Sequence, residues 1–450
     1  MQLSGAQPRW RPATVLLCGY IAALIALPSD LGVDLGWLVV TPARLFLVLG
    51  ILAAIGEMLN GRRLDVVSPG RWVTIGWALF LALAAASALV SATGGGLSRL
   101  GSMVLEGAGV FWLAWWVARQ SPRFVQAAIV GASGVVASVA TVLATAGLRY
   151  DSILRGTSIV GEVRFGLVRQ EASFDAPLFY AVWLVAAGAL ALGLAISLRG
   201  RGRWLALMAW ACLAAGVVTT ASRFGITAVP AVVGFMLVAI SRWRFGLLAL
   251  AVAAVVAVGP FGGAVAGLDQ SASAPLMTAP ASSPAPASSP APASSPAPAS
   301  LATQAAELEA QALRGSTEAR LEAISAAVSA VTARPVLGWG PLSAARVATM
   351  ELGHPNYVDN AYLVMLIELG IAGLAAFVLL VLGVFRSILP YRSALSASQV
   401  ASLAAILVFA LLAANFATSQ GYALFWLVAG LAVATADYEA QGRSHVRGGT

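Results

Sequence analysis

Residues 360–384 read NAYLVMLIELGIAGLAAFVLLVLGV, a continuous apolar run whose only charged residue is Glu368. About 20 apolar residues in a helix are enough to cross the hydrocarbon core of a bilayer. Strands of a membrane barrel would alternate apolar and polar residues, and this run shows no such alternation. The stretch therefore predicts a transmembrane helix.

The rest of the chain repeats this pattern. Of its 450 residues, 59% are hydrophobic and 10% are charged, and the mean hydropathy is +0.86. Ordinary soluble domains carry roughly 25% charged residues, so the composition excludes a cytosolic enzyme, a disordered protein and a fibrous one. We expect an all-α polytopic membrane protein with about twelve transmembrane helices. The predicted spans are residues 14–29, 41–58, 72–92, 101–118, 124–147, 176–198, 204–221, 225–240, 245–262, 360–384, 397–414 and 420–436.

The charges predict the orientation of the chain in the membrane. The formal net charge is +8, and all 27 basic residues are arginine. Arginine is concentrated in short loops such as 198–203 (LRGRGR) and 241–244 (SRWR), which the positive-inside rule assigns to the cytoplasm. We expect a multi-pass protein of the cytoplasmic (inner or plasma) membrane with both termini in the cytoplasm. These short basic groups are topology signals and give no support to nucleic-acid binding.

The longest connection between spans is expected outside the cytoplasm. We divide the chain into spans one to nine (1–262), an extracytoplasmic loop (263–359), spans ten to twelve (360–436) and a cytoplasmic tail (437–450). Such a loop between spans nine and ten is large enough to carry structure of its own.

The extracytoplasmic loop has two parts. Residues 274–300 form an Ala/Ser/Pro-rich linker that contains the repeat PASSPA, typical of an extended spacer; O-glycosylation of this tract remains an alternative. Residues 302–334 are predicted to be helical. Leu321, Ile324, Val328 and Val331 fall on one stripe, so we expect an amphipathic helix at the outer mouth of the membrane domain.

Ionisable residues inside membrane spans are costly and are functional candidates by default. Here they gather in the outer half of the predicted bilayer, which indicates a polar pocket that opens outward. Arginine forks match phosphate oxygens, so such a pocket suits a lipid-linked phosphate or diphosphate. The alternative is a buried ion pair that joins helices, with Glu106 or Glu368 bound to Arg44 or Arg223. The set comprises Arg44, Glu106, Asp175, Arg223, Asp359 and Glu368.

Five motifs in order along the chain resemble the superfamily of O-antigen ligases and O-antigen polymerases. Three follow the long loop: 334–341 (RPVLGWGP), 354–363 (HPNYVDNAYL) and 368–373 (ELGIAG). Two precede it: 169–177 (RQEASFDAP), which resembles the entry to a span in this family, and 220–225 (TASRFG), which resembles its Ser-Arg-x-Gly turn.

The resemblance implies transfer of a glycan from an undecaprenyl-diphosphate-linked donor to an acceptor hydroxyl, at the outer face of the cytoplasmic membrane. It implies a polymerase or a ligase that uses no cofactor and no metal. The expected partners are the lipid-linked glycan, an acceptor that is a glycan, a protein or a lipid, and the lipid bilayer. A flippase or a chain-length protein of the same pathway is a candidate partner.

The resemblance also implies roles for individual residues. Arg223 and Arg320, supported by Arg169, would hold the diphosphate and stabilise it as it leaves. His354 would act as general base on the acceptor hydroxyl. Asp359 is the competing base, because it stands directly before the asparagine of the motif. The sequence leaves the choice between these two bases open.

Five further residues are predicted to contribute to substrate binding. Arg44, Asn360 and Glu368 lie at the level of the expected pocket. Gly338 and Gly340 would permit a tight backbone turn near the sugar or phosphate.

Two other classes of function remain open. A multi-pass transporter or flippase for an anionic lipid-linked or polysaccharide substrate should have polar groups at the midplane and broken helices; the sequence shows neither clearly. In particular, Gly370 and Gly373 are expected to allow close helix packing. A structural or assembly subunit without activity would predict that Arg223 and Arg320 are dispensable.

Overall fold

A computed structural model describes most of the chain, and the described residues are mainly helical. It describes residues 11–28, 31–34, 39–60, 69–91, 96–155, 163–164, 167–174, 176–222, 225–226, 228–229, 232–233, 322–352, 358, 360–391, 393–411 and 419–447.

The described secondary structure is a series of helices with two small hairpins. The hairpins pair Val33–Asp34 (β1) with Val39–Val40 (β2), and Val163–Arg164 (β3) with Leu167–Val168 (β4). The helices are α1 (Pro12–Ala26), α2 (Pro42–Asn60), α3 (Arg71–Ser91), α4 (Gly96–Ser102), the π-helix π1 (Met103–Gly109), α5 (Val110–Ala118), α6 (Pro122–Thr145), α7 (Tyr150–Arg155), α8 (Pro177–Ser197), α9 (Arg201–Thr219), α10 (Glu322–Ala333), α11 (Ala344–Leu352), α12 (Ala361–Ile388), α13 (Ala394–Phe409) and α14 (Ser419–Arg447).

These helices confirm a polytopic all-α membrane protein. Within the described residues, eight helices are long and apolar enough to cross a membrane, and α1, α10 and α13 are shorter apolar helices. Predicted spans one to seven and ten to twelve each coincide with a described helix. The eighth is described only at residues 225–226, 228–229 and 232–233, and the ninth lies outside the described residues. The total of twelve therefore stays a prediction.

Several helix ends meet at one end of the bundle, which we call the site end. The side chain of Gln420, at the start of α14, donates to the carbonyls of Leu24 (3.0 Å) and Leu27 (3.3 Å) at the end of α1. The amide of Ala361, at the start of α12, donates to the carbonyl of Ala410 after α13 (2.9 Å). This arrangement places α1, α12, α13 and α14 in the up-and-down order that short connections favour.

An aromatic cluster forms the core next to the site end. The rings of Trp77 and Trp426 lie 4.3 Å apart, and Phe111, Phe377 and Phe425 pack around Trp426. These residues come from α3, α5, α12 and α14, so their burial fixes four spans against one another.

An uncharged polar network joins helices deeper in the bundle. The amide of Gln399 donates to the Gln126 side chain (3.0 Å) and to Thr435 (2.9 Å), and the Gln126 amide donates to Ser398 (3.1 Å). Interhelical hydrogen bonds of this kind contribute roughly 1 kcal/mol each in membranes. The network therefore fixes the register of α6, α13 and α14 without burying a charge.

Residues 322–352, a described part of the long loop, pack on the start of α12, and we call them the loop module. The structure shows which face of its first helix packs on the protein, and this face is not the apolar stripe of the sequence. The small side chains of α10, among them Ala327 and Ala330, form the buried face, whereas Ile324 and Val328 are 43% and 53% exposed. Alanine allows a close approach to α11 and α12 that the branched side chains would prevent, so packing overrides the apolar stripe. Half-buried Val331 is the one described member of the stripe that packs on this cluster.

Candidate functional site

Two of the predicted charged residues form an ion pair at the site end. The guanidinium of Arg44, in the first turn of α2, donates through Nε to Glu106 Oε1 (2.7 Å). Ser102 donates to the other carboxylate oxygen (2.9 Å), and Arg44 also donates to the carbonyl of Val39. The alternative prediction of a buried ion pair between these residues is therefore confirmed. Glu106 lies on π1, and such π-helical segments are frequent at functional sites.

This ion pair borders a cavity of about 460 Å³. The walls come from the end of α1, the first hairpin, the start of α2, π1 and the start of α14. Arg44, Glu106, Tyr20 and Gln420 supply polar groups, and the remaining wall is mostly apolar. The volume falls in the range of small-molecule sites, which is about 300–1,000 Å³.

Glu368 lies at the same end, in the interior of α12. Only 6% of its surface is exposed. The backbone N–H groups of Leu342 and Ala344 and the guanidinium of Arg99 lie close enough to its carboxylate for electrostatic interactions. Tyr422 interacts electrostatically with both Arg99 and Glu106. The structure thus brings Arg44, Glu106 and Glu368 together around the start of α14, as predicted for a common level.

The span that contains Glu368 is broken at Gly370, which the sequence did not indicate. Gly370 has φ 68° and ψ −172°, a conformation that is essentially restricted to glycine. Chain segment 335–340 enters the break: the N–H groups of Ile371 and Ala372 donate to the carbonyls of Pro335 (2.8 Å) and Val336 (3.2 Å). The expectation that Gly370 allows close helix packing is therefore wrong, because its closest neighbour is the backbone of Val336.

Segment 335–340 also forms hydrogen bonds with the carbonyl groups on the other side of the break. The N–H groups of Trp339 and Gly340 donate to the carbonyls of Ile367 (2.8 Å) and Glu368 (2.9 Å). Gly338 and Gly340 have φ values of 68° and 96°, as the predicted tight turn requires. A Cβ on Gly338 would lie 2.5 Å from the Ile367 oxygen, so only glycine fits.

Two side chains hold this segment in place. Buried Ser87, near the end of α3, lies within hydrogen-bond distance of the carbonyls of Leu337 (2.6 Å) and Glu368 (2.8 Å). The indole of Trp339 donates to the carbonyl of Ala330 (2.8 Å) and stacks under the guanidinium of Arg334. The loop module is thereby attached to α12 immediately beside Glu368.

Arg169 lies against the turn that carries a second predicted arginine. Its Nε donates to the carbonyl of Thr220 (3.1 Å), and the neighbouring amide of Gln170 donates to the carbonyl of Thr219 (3.0 Å). The TASRFG motif is therefore in contact with the RQEASFDAP motif. Partial burial raises the pKa of Glu171 in the same loop, and the guanidinium of Arg149, 3.4 Å from its carboxylate, opposes that shift.

Asn360 acts as the N-cap of α12. Its side-chain oxygen accepts from the amides of Tyr362 and Leu363 (both 3.0 Å), and its amide donates to the carbonyl of Leu411 (3.0 Å). This role follows from the strong preference of asparagine for N-cap positions. Substrate binding by Asn360 stays a prediction.

Five of the predicted residues lie outside the described part of the chain. They are Asp175, Arg223, Arg320, His354 and Asp359. Their roles as diphosphate ligands, general base or pocket residues stay predictions.

Sequence reasoning missed two polar residues of the cavity, Tyr20 and Gln420. Tyr20 lies inside predicted span one and Gln420 begins predicted span twelve, and a polar side chain in a span was the signal that could have identified them. Within the described residues, no group of three or more His, Cys, Asp or Glu side chains is placed to hold a metal ion.

A comparison with protein families matches part of the chain. The family model described as O-antigen ligase matches residues 207–378, which contain four of the five motifs, from TASRFG to ELGIAG. No curated protein matches the chain. The match confirms the resemblance: residues 207–378 of the chain are similar to the O-antigen ligases, a family of membrane enzymes that transfer glycans.

Proposed function

We propose that the protein transfers a glycan from an undecaprenyl-diphosphate-linked donor to an acceptor hydroxyl at the outer face of the cytoplasmic membrane. The observation that carries this proposal is the contact between Arg169 and Thr220. It joins the two arginine-bearing motifs of the family, and Arg223 follows Thr220 by three residues in the sequence.

In the proposed reaction, the acceptor oxygen attacks the sugar carbon that carries the diphosphate. His354 or Asp359 takes the proton of the acceptor hydroxyl as the new C–O bond forms and the bond to the diphosphate breaks. Arg223 and Arg320, supported by Arg169, hold the negative charge of the departing diphosphate. Neither base is preferred.

The transporter alternative is favoured by one observation, the break of α12 at Gly370, because transporters often bind substrate at broken helices. In this protein, residues 335–340 occupy the break and use its backbone groups. A transporter would need those groups for its substrate, so glycan transfer accounts for the arrangement better.

The proposal is tested by the glycan profile of the cell envelope in a deletion strain. Wild type, Arg223→Ala and Arg320→Ala would each be reintroduced, with Arg201→Ala, at the opposite end of α9 from Thr220, as the matched control. We expect wild type and Arg201→Ala to restore the profile and the other two variants to fail at normal protein level.

The deletion phenotype also separates the two enzyme types. Single unpolymerised repeats would identify a polymerase, and chains of normal length on the lipid carrier would identify a ligase. An unchanged profile, or repeats retained on the inner leaflet, would contradict glycan transfer and favour the transporter.

A further inference from the structure

A second cavity, of about 350 Å³, lies at the end of the bundle opposite the site end. Arg119 directly follows α5, and Asp437 lies on α14, about 25 Å along that helix from Gln420 at the site end. Each of these two residues directly follows a predicted membrane span. The cavity is therefore at the level where the headgroups of a bilayer begin. Its lining comprises Arg119, Gln120, Asp437, Tyr438 and Gln441.

The guanidinium of Arg119 is held in this cavity by its flat face. It lies 3.7 Å from the ring centroid of Trp116 and 5.2 Å from that of Trp115. Such cation–π contacts use the face of the guanidinium and leave the N–H donors at its edge. Among the described residues, Arg119 takes part in none of the ion pairs. Its N–H groups can therefore bind an anion.

Asp437 supplies the opposite charge. Its Oδ2 accepts from the indole Nε1 of Trp115 (2.8 Å). A carboxylate has about four acceptor positions, so it can accept further hydrogen bonds. Partial burial lowers the pKa of Arg119, the Asp437 carboxylate opposes this shift, and Arg11 adds to it. The guanidinium and the carboxylate are thus close enough to interact, and the described part of the chain shows no direct ion pair between them.

A cavity that presents both signs of charge matches a ligand that carries both. A phosphate accepts from the N–H groups of a guanidinium, and a primary ammonium can donate three hydrogen bonds to groups such as a carboxylate. The phosphoethanolamine headgroup of a phospholipid contains these two groups, joined by two carbon atoms. An anionic headgroup without an amine would place its phosphate beside the Asp437 carboxylate with no group to pair with it.

Trp112 extends the same surface towards the membrane. It lies one turn earlier on α5, is half-buried, and stacks with Trp116 at a centroid distance of 6.0 Å. Tryptophan is enriched where the hydrocarbon core meets the headgroups. A ligand whose chains lie in the bilayer and whose headgroup enters the cavity is therefore favoured over a soluble phosphate compound.

We propose that this cavity binds the phosphoethanolamine headgroup of a phospholipid, with its phosphate on Arg119 and its ammonium on Asp437. The bound lipid would join α5 to α14 through these two side chains. The site lies at the opposite end of the bundle from Arg44, Glu106 and Glu368, so the proposal does not depend on the proposed function.

The test uses the full-length protein, freed of lipid in detergent, and native mass spectrometry to measure bound lipid. The probes are phosphatidylethanolamine, phosphatidylglycerol and phosphatidylcholine with identical acyl chains, and inorganic phosphate as a competitor. Asp437→Asn removes the charge but keeps an oxygen for the Trp115 indole, and Arg119→Gln removes the guanidinium. Arg123→Gln is the matched control, because Arg123 is an exposed arginine at the same end that does not line the cavity.

We expect wild type and Arg123→Gln to bind phosphatidylethanolamine more tightly than the other two lipids. Loss of one charge-assisted hydrogen bond in Asp437→Asn should weaken binding of phosphatidylethanolamine about tenfold without weakening that of phosphatidylglycerol. Arg119→Gln should weaken the binding of both lipids, because both carry a phosphate. Inorganic phosphate at the concentration of the lipid should displace neither.

The proposal is overturned if Asp437→Asn and Arg119→Gln bind phosphatidylethanolamine as wild type does, because the cavity then holds solvent only. A preference for phosphatidylglycerol that Asp437→Asn leaves unchanged overturns it in favour of an anionic lipid. Displacement by inorganic phosphate overturns it in favour of a soluble anion. If Arg119→Gln does not fold, Asp437→Asn decides alone, since it keeps the hydrogen bond to Trp115. The glycan profile of the cell envelope tests the proposed function separately.

Discussion

Two membrane spans leave the α-helical path near the site end, and they differ in what satisfies their polar groups. In α12, the break at Gly370 is filled by the protein's own backbone, because residues 335–340 pair with the carbonyls and amides on both sides. In the span formed by α4, π1 and α5, the irregular turn places Glu106 at the border of a cavity of about 460 Å³, where Arg44 and Ser102 bind its carboxylate. The first irregularity therefore anchors a loop, and the second borders a cavity.

The largest effect is expected from a substitution that disrupts the packing of residues 335–340 into the break of α12. In Gly370→Ala the new Cβ would lie 2.2 Å from the Val336 oxygen, in a backbone conformation that only glycine adopts readily. We expect no folded protein to be recovered, as judged by size-exclusion chromatography in detergent. Gly131→Ala is the control, because a Cβ there meets nothing within 4 Å. Normal yield of Gly370→Ala would show that the break is not needed.

The next effect concerns the ion pair beside the cavity. Arg44→Met leaves the Glu106 carboxylate buried without its partner and should destabilise the protein by about 3–5 kcal/mol. The double variant Arg44→Met/Glu106→Met should be more stable than the single one, since it buries no charge. Thermal unfolding in detergent measures both. A double variant that is less stable than Arg44→Met would mean that the two side chains are not coupled.

A smaller effect is expected at the Ser87 hydroxyl, which joins α3 to residues 335–340 and α12. Ser87→Ala removes the donor to the carbonyls of Leu337 and Glu368 and should cost about 1–2 kcal/mol. The matched control is Ser138→Ala, whose hydroxyl bonds only within its own helix, to Gly134. If both variants unfold at the same temperature, Ser87 does not hold the loop module.

The smallest effect is expected at the start of the broken helix. Asn360→Ala removes the cap of α12 and should lower stability by about 1 kcal/mol, whereas Asn360→Asp keeps the capping oxygen and should lose less. Unfolding midpoints and transfer activity are measured together. Loss of transfer in Asn360→Asp at normal stability would reveal the substrate contact that the sequence predicts.

The order of the spans and the level of their charges could be predicted from the sequence. Apolar runs and short arginine-rich loops are local patterns, and they located the described helices and placed Arg44, Glu106 and Glu368 near one another. The partners of these charges could not be predicted, because pairing depends on how helices rotate about their axes. Arg44 could have met either Glu106 or Glu368, and the structure selects Glu106.

The errors have physical causes too. Gly370 lies in an apolar run that is compatible with an unbroken helix, and its break depends on residues 335–340, which lie earlier in the chain. Ile324 and Val328 form an apolar stripe, but the loop module packs through alanines because they permit closer approach. In both cases contacts distant in sequence override a local preference.

The attachment of the loop module to α12 has an evolutionary consequence. The four hydrogen bonds that residues 335–340 make across the break run from main chain to main chain, so they do not depend on the side chains of Val336 or Leu337. Substitutions at those two positions leave the backbone hydrogen bonds in place, so the surface of the loop module can change with little loss of stability. Gly338 and Gly370 cannot drift, because any side chain there collides with the opposing backbone. Evolution can therefore alter the surface of the loop module while the backbone connection between residues 335–340 and α12 stays the same.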